Sequence, residues 1–328
     1  MNMKSIVTGG AGFVGSHLVN KLLDMNHKII VLDNFSTGRR ENLSHIKKKI
    51  KLINCDISKK GNWTRNFKNA DWVFHFAGLA DIIPSIQNPE EYFKSNVNGT
   101  LNVLQACRKS KLKKFIYAAS SSCYGIPKKY PTPETSEIKP QYPYALTKLL
   151  GEKLVMHWQK VYKLKAISLR FFNLYGTRSR TDGTYGAMFG VFLAQKLAGL
   201  PFTIVGNGNQ KRDFTYISDA IDVIIKAAKS NLSGEIFNVG SGKTVSVNHV
   251  VKLLGGKKTY IPKRPGEPIC TFADIKKINK YLNWSPKVDI EKGIKILKEN
   301  INYWKDAPVW TKDKIDIATK EWFKYLRK

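Results

Sequence analysis

The 328-residue chain carries 55 Lys+Arg against 25 Asp+Glu, a formal net charge of +30, with 42% hydrophobic and 11% aromatic residues. That apolar content supplies a substantial core, in one large domain or two lobes, and excludes wholesale disorder. Four cysteines without paired spacing exclude a disulfide framework, six dispersed histidines offer no zinc spacing, and no apolar run approaches the ~20 residues of a membrane span. The stretch from Met1 through Lys4 is too brief for a secretory signal, so the expectation is a soluble, cytosolic protein without a metal.

In chain order, short β-rich runs alternate with helical patterns: strands at 5–8, 29–32, 51–54, 72–76, 115–119 and 166–169, with helices at 15–25, 90–109 and 144–162. Strands with little polar alternation, interleaved with helices, predict an α/β fold built on a doubly wound parallel sheet covered on both faces. After Gly176 the character changes to a polar loop over 177–185, a helix at 187–198, a strand at 202–205 and a turn at 206–208. The stretches 219–229 and 236–239 read as a helix and a strand returning to the first sheet. A segment with Pro262, Pro265 and Pro268 precedes helices at 274–282 and 290–304. A last amphipathic stretch at 312–326 spaces Ile315, Ala318, Trp322 and Leu326 for one face, expected to pack on the second lobe or, alternatively, on a second copy. The expected division is a dinucleotide-binding domain over 1–175, joined again by 214–245, and a smaller C-terminal α/β substrate lobe from 176–213 and 246–328.

The charge fits nucleic acid, an acidic membrane surface or an anionic small substrate. Arginine, whose planar fork suits phosphate, stands at only ten positions, and the other 45 cations are lysines set mostly singly or in pairs. Dispersed lysine reads as a solvated coat, so neither nucleic acid nor membrane is the expected partner.

Chemistry concentrates at two places. Thr8-Gly9-Gly10-Ala11-Gly12-Phe13-Val14-Gly15 follows the first strand and opens the first helix. Glycines there allow a tight turn, backbone approach to a pyrophosphate at a helix N-terminus, and close helix–strand packing. Asp33 ends the second strand 18 residues after Gly15, where an acid accepts from ribose hydroxyls and repels a 2′-phosphate. This points to NAD, with Arg39 and Arg40 nearby leaving NADP open. Asp56 and Ile57, after the third strand, are placed to hold adenine, or Asp56 caps a turn.

The second place is Tyr144-Ala145-Leu146-Thr147-Lys148, downstream of Ser120-Ser121-Ser122-Cys123-Tyr124-Gly125. Tyr and Lys at i and i+4 share a helix face, so the ammonium can favour the phenolate. Lowering a tyrosine from pKa ~10 to about 7 requires roughly 4 kcal/mol, which the lysine and an oxidised nicotinamide together could supply.

These segments, with Leu169-Arg170-Phe171-Phe172-Asn173, His75-Phe76-Ala77-Gly78-Leu79, Asn96-Val97-Asn98-Gly99-Thr100, Arg212-Asp213-Phe214 and Arg264-Pro265-Gly266-Glu267, resemble the extended short-chain dehydrogenase/reductases. The resemblance covers about 3–303 and is nearest to nucleotide-sugar epimerases and dehydratases, such as UDP-glucose and UDP-N-acetylglucosamine 4-epimerases. It implies a Rossmann-like fold, bound NAD and a homodimer. It assigns Ser120, Tyr144 and Lys148 to catalysis at the sugar 4-oxygen. Cofactor contacts are implied for Gly9, Gly12, Phe13, Val14, Gly15, Asp33, Asn34, Asp56, Ile57, Phe76, Ala77, Gly78, Asn96 and Phe171, as well as Tyr144 and Lys148. Asn173, Arg212 and Arg264 would hold the nucleotide diphosphate, Glu267 the uridine ribose, and Ser85, Ser121, Ser122, Tyr185 and Thr271 the rest of the substrate.

In dehydratases of this kind Thr-Asp-Glu stands where this chain has Ser120-Ser121-Ser122, and two serines cannot do the acid–base work of water elimination. What remains is a 4-epimerase acting on a UDP-hexose or UDP-N-acetylhexosamine through a 4-keto sugar. Thr271, small where a tyrosine restricts some epimerases, leaves room for a 2-acetamido group. Arg178 and Arg180 could instead meet a uronate carboxylate, which suits a UDP-glucuronate 4-epimerase. A net nucleotide-sugar oxidoreductase and a non-catalytic NAD- or RNA-binding relative are the other readings.

Overall fold

The computed structural model of the chain describes residues 2–108, 110–179 and 188–326. The first half runs β1 (Lys4–Thr8), α1 (Phe13–Asp24), β2 (Lys28–Asp33), β3 (Lys51–Asn54), β4 (Trp72–His75), α2 (Ile82–Gln87), α3 (Pro89–Tyr92), α4 (Gly99–Cys107), β5 (Lys114–Ser120), α5 (Pro143–Tyr162) and β6 (Ala166–Phe171). The second runs β7 (Asn173–Tyr175), α6 (Met188–Leu197), β8 (Phe202–Val205), β9 (Lys211–Arg212), β10 (Phe214–Tyr216), α7 (Ile217–Lys229) and β11 (Glu235–Val239). It then continues through β12 (Val245–Ser246), α8 (Val247–Leu254), β13 (Lys258–Ile261), α9 (Lys276–Leu282), α10 (Ile290–Glu299) and α11 (Lys312–Leu326).

Seven strands form one parallel sheet in the order β11-β6-β5-β4-β1-β2-β3. Because both faces are covered, neighbours on one strand are buried in opposite directions. Ile6 packs with Val103 and Leu104 of α4 and Val155 and Trp158 of α5. Val7, the next residue, packs in the cluster holding Leu18 and Val19 of α1 and Ile221 and Ile224 of α7. This is why the strands read as unbroken apolar runs. Burying each such side chain contributes about 1.5–3 kcal/mol.

Strand order reverses between β1 and β4, whose C-terminal ends open a crevice, the usual ligand position in such sheets. Beyond the sheet, β8 pairs with β13, β9 with β12 and β7 with β10.

Several elements differ from the expectation. The helix expected at 90–109 is α3 and α4 joined by a π-helical turn, Phe93–Asn98. The helix expected at 290–304 stops at Glu299 and resumes as a 3-10 turn, Ile301–Trp304. A 3-10 segment, Arg40–Lys49, and α8 were not anticipated. The helix α11 does not pack on the second lobe alone: Gln87 of α2 donates to the Ala318 carbonyl, so α11 spans from α2 to the Pro265 loop, where Trp322 Nε1 donates to the Pro265 carbonyl.

Candidate functional site

A continuous cavity of about 640 Å³ runs from the glycine loop after β1, past the ends of β4 and β5, to the loop before Thr271. At its glycine-loop end the wall includes Gly9, Gly12, Phe13, Val14, Gly15, Asp33, Asn34, Asp56, Ile57, Phe76, Ala77, Gly78 and Phe171. The glycines are sterically required. Gly9 has φ +70°, and a Cβ on it would stand 2.6 Å from the Ala77 nitrogen, while one on Gly15 would stand 2.1 Å from the Gly9 carbonyl oxygen. The N-cap of α1 is Gly12, with no side chain to satisfy the first-turn N–H groups, which leaves them for an anion. Asp33 accepts from the Ala11 and Phe35 backbone N–H groups, each at 2.8 Å, one on each carboxylate oxygen. Burial raises its pKa against those bonds. Each oxygen keeps a lone pair for a ribose hydroxyl. These features fit a dinucleotide. Arg40 lies over the Phe35 ring at 3.9 Å, and Arg39 over the Tyr303 ring at 5.2 Å, so both flanking arginines have partners in the protein. The Asp56 carboxylate accepts from Ser58 N–H at 2.9 Å, so it caps a turn while facing the cavity.

Ser120, Ser121, Ser122, Tyr144 and Lys148 meet on the same wall. Ser120 ends β5, and its hydroxyl is hydrogen-bonded to the Ser122 hydroxyl. Helix α5 begins at Pro143, where the missing N–H costs nothing, which sets Tyr144 in the first turn, at the positive end of a 20-residue helix. Lys148 and Glu152 follow at successive four-residue steps. Glu152 is pinned by Arg170 at 2.6 Å and accepts from the Ser168 hydroxyl at 2.8 Å, so the far end of this face is rigid.

Burial holds the Tyr144 phenol above its ordinary pKa, while hydrogen bonds from Ser120 and Ser122 pull it down. The depression expected from Lys148 is therefore not produced by the protein alone, because desolvation of the phenolate wins. Lys148 itself is brought down to about 8 by burial, with Glu152 opposing, and its ammonium lies 4.6 Å from the Tyr117 ring centre.

The remaining wall carries Asn173, Arg212, Arg264, Glu267 and Thr271. Arg212 pairs with Glu267 at 2.7 Å. The Thr271 hydroxyl donates to Asn173 Oδ1 at 2.7 Å and accepts from the Asp213 backbone N–H at 3.3 Å. Arg178 also lines the cavity, but packs against α1 with Nη1 donating to the Ser16 carbonyl at 3.4 Å.

Two expected contacts are placed elsewhere. Asn96 is not on the wall: its amide accepts from Leu79 N–H and donates to the Leu79 carbonyl and the Thr147 hydroxyl, so it holds the loop after β4 against α5. Ser85 is wholly buried in α2 and donates to the Ile82 carbonyl, behind the wall. Tyr185 and Arg180 lie outside the described residues. Conversely, Tyr142, Tyr303 and Trp322 line the cavity without having been anticipated. Tyr142 stacks on Tyr144, with ring centres 6.4 Å apart and planes 6° from parallel, and hydrogen-bonds the Ser122 hydroxyl. Among the described residues no group of three or more His, Cys, Asp or Glu is arranged to hold a metal ion.

Residues 5–240 match the model of the NAD dependent epimerase/dehydratase family. A Methanocaldococcus jannaschii protein provisionally named a UDP-glucose 4-epimerase is 36% identical over 298 residues, covering 88% of this chain and 95% of its own. The UDP-glucuronic acid 4-epimerase of Bacillus cereus, solved with UDP-glucuronic acid and NAD, superposes with a TM-score of 0.85 at 32% identity, covering 92% of this chain and 99% of its own. The UDP-N-acetylglucosamine 4-epimerase of Methanobrevibacter ruminantium, solved with UDP-N-acetylmuramic acid, gives 0.85 at 29% identity, covering 91% and 99%.

Proposed function

The chain belongs to the NAD-dependent epimerase/dehydratase family, and from that premise we propose how its site inverts C4 of a UDP-linked sugar. It is an NAD-dependent UDP-sugar 4-epimerase. The observation that carries the proposed roles is the meeting of Ser120, Ser122, Tyr144 and Lys148 on one cavity continuous with the glycine cradle.

When bound, NAD⁺ supplies the hydride acceptor and returns the hydride, so no cofactor is consumed. Tyr144, as phenolate, takes the proton from the 4-hydroxyl while that carbon becomes a ketone, and gives the proton back when the opposite C4 epimer forms. Ser120 and Ser122 donate to the same oxygen and fix it beside the phenol. Lys148 contributes a cation at the cofactor's ribose and favours the phenolate. Arg212 and Arg264 neutralise the substrate diphosphate, with Asn173 as amide donor. Glu267 accepts from the uridine ribose. The substrate lobe is formed by 176–213 and 246–328. Ser121 and Ser122 follow Ser120, so these two positions do not supply the carboxyl pair that elimination requires.

The favoured substrates are UDP-hexoses and UDP-N-acetylhexosamines, because Thr271 is small; UDP-glucuronate is the second reading. Nuclear magnetic resonance of product mixtures from UDP-glucose, UDP-N-acetylglucosamine and UDP-glucuronate tests this. A C4-inverted product without lasting change in nicotinamide absorbance is expected; net absorbance change would indicate an oxidoreductase. We further infer a cytoplasmic homodimer joined through α4 and α5. A monomer mass by light scattering overturns the dimer.

A further inference from the structure

We propose that Trp322, on the last helix, is a positioning residue for Arg264, which makes α11 part of the sugar-nucleotide site. The proposal rests on the reading of Arg264 as a diphosphate contact.

Residues 263–267 form an irregular loop between β13 and Thr271, yet two of its side chains, Arg264 and Glu267, face the cavity. Such a loop needs an external support to present charges reproducibly. Trp322 provides two. Its Nε1–H donates to the Pro265 carbonyl at 2.7 Å, fixing the backbone beside Arg264. Its indole face lies 5.4 Å from the Arg264 guanidinium carbon. A guanidinium packed on an aromatic face is restrained in position and orientation by that contact.

Trp322 is in turn rigidly seated. It is 2% exposed, its ring lies 6.5 Å from that of Tyr142, and Tyr142 stacks on Tyr144. Buried Ile315 and Thr319 anchor the same helix face, and Gln87 of α2 holds the Ala318 carbonyl. The indole therefore joins the Arg264 loop to the first turn of α5, where the phenol works.

The test is steady-state kinetics on a UDP-sugar for Trp322→Ala, Trp322→Phe, Arg264→Ala and the Arg264→Ala/Trp322→Ala double variant, with bound NAD quantified for each. Trp322→Ala is expected to raise KM about tenfold, the equivalent of losing one such contact, with kcat within about threefold and NAD content unchanged. Trp322→Phe keeps the ring face and should recover most of that loss. The double variant should match Arg264→Ala, because the indole acts through the guanidinium. A general folding defect would instead lower kcat through the active fraction and leave KM alone. Wild-type KM in Trp322→Ala, or additive losses in the double variant, overturns the proposal while leaving Arg264 as a contact. Wild-type KM in Arg264→Ala overturns the diphosphate reading and the proposal with it.

Discussion

Arg212 Nη2 and Glu267 Oε1 stand 2.7 Å apart on the cavity wall, while the second oxygen of the same carboxylate, Oε2, is buried without a hydrogen-bond partner among the described residues. A buried acceptor left unsatisfied costs about 1–3 kcal/mol, which a ligand hydroxyl would recover on binding. The pair thus orients one oxygen inward on a cation and leaves the other for a donor, which matches a ribose diol.

Glu267→Gln should therefore raise KM for a UDP-sugar by about tenfold, because the amide keeps its oxygen on Arg212 and turns an N–H₂ toward the ribose. A thymidine-linked sugar, lacking the 2′-hydroxyl, should show a smaller loss. Kinetics with both substrates checks this. Equal losses would sink the ribose assignment and leave Glu267 only as the partner of Arg212.

Tyr144→Phe should lower kcat by about 10²–10⁴-fold, the range for removing a general acid–base group, with NAD content unchanged. Burial raises the phenol's pKa in the protein, so the reactive phenolate is the minority form near neutrality and kcat/KM should climb with pH. The climb should bend over near pH 8, where Lys148, lowered to about 8, loses the charge that favours the phenolate. A flat profile between pH 6 and 8 contradicts the acid–base role.

The sheet was legible because strands buried on both faces must be apolar throughout, as Ile6 and Val7 show by packing into opposite layers. The glycine loop and the Tyr144–Lys148 spacing were legible because both depend on local geometry, a tight turn and one helix face. Arg212, Glu267 and Thr271 were suggested only by resemblance, and nothing local predicts the Arg212–Glu267 pair 55 residues apart. Trp322 reaches Pro265 across 57 residues, and Tyr303 donates to Asn42 across 261, so neither had a local signal. Strands of two or three residues such as β9 and β12 are too short to show a period. Asn96 and Ser85 stand off the cavity wall for a different reason: their side chains bond neighbouring protein groups, a placement that a motif alone does not reveal.

His75 makes acid stability testable. The imidazole is buried at the end of β4, with Nδ1 2.7 Å from the Thr8 hydroxyl and Nε2 2.9 Å from the Thr100 hydroxyl. Burial and the nearby Lys148 charge pull its pKa down to about 3. The folded state thus binds fewer protons than the unfolded chain between about pH 6.5 and 3. The stability His75 contributes is complete above the unfolded pKa and declines as pH falls through that window, at up to about 1.4 kcal/mol per pH unit. Denaturant midpoints measured from pH 7 to pH 4 should show a shallower decline for His75→Gln, whatever its absolute stability. Identical slopes would remove His75 as the source.

Thr271 is the final test, because its position combines volume with a hydrogen bond. Its hydroxyl donates to Asn173 Oδ1 and accepts from Asp213 N–H. Thr271→Tyr therefore both fills the wall and releases Asn173, and a loss of activity alone would not separate the two effects. Thr271→Val removes only the hydroxyl and nearly conserves shape. It should lower kcat/KM for UDP-glucose and UDP-N-acetylglucosamine by the same factor, about fivefold for one hydrogen bond. Thr271→Tyr should add a further loss of about tenfold or more on the N-acetylated substrate alone, where the ring meets the 2-acetamido group. If the tyrosine variant instead lowers both substrates equally, the position acts through Asn173, and the volume at Thr271 does not select the C2 substituent.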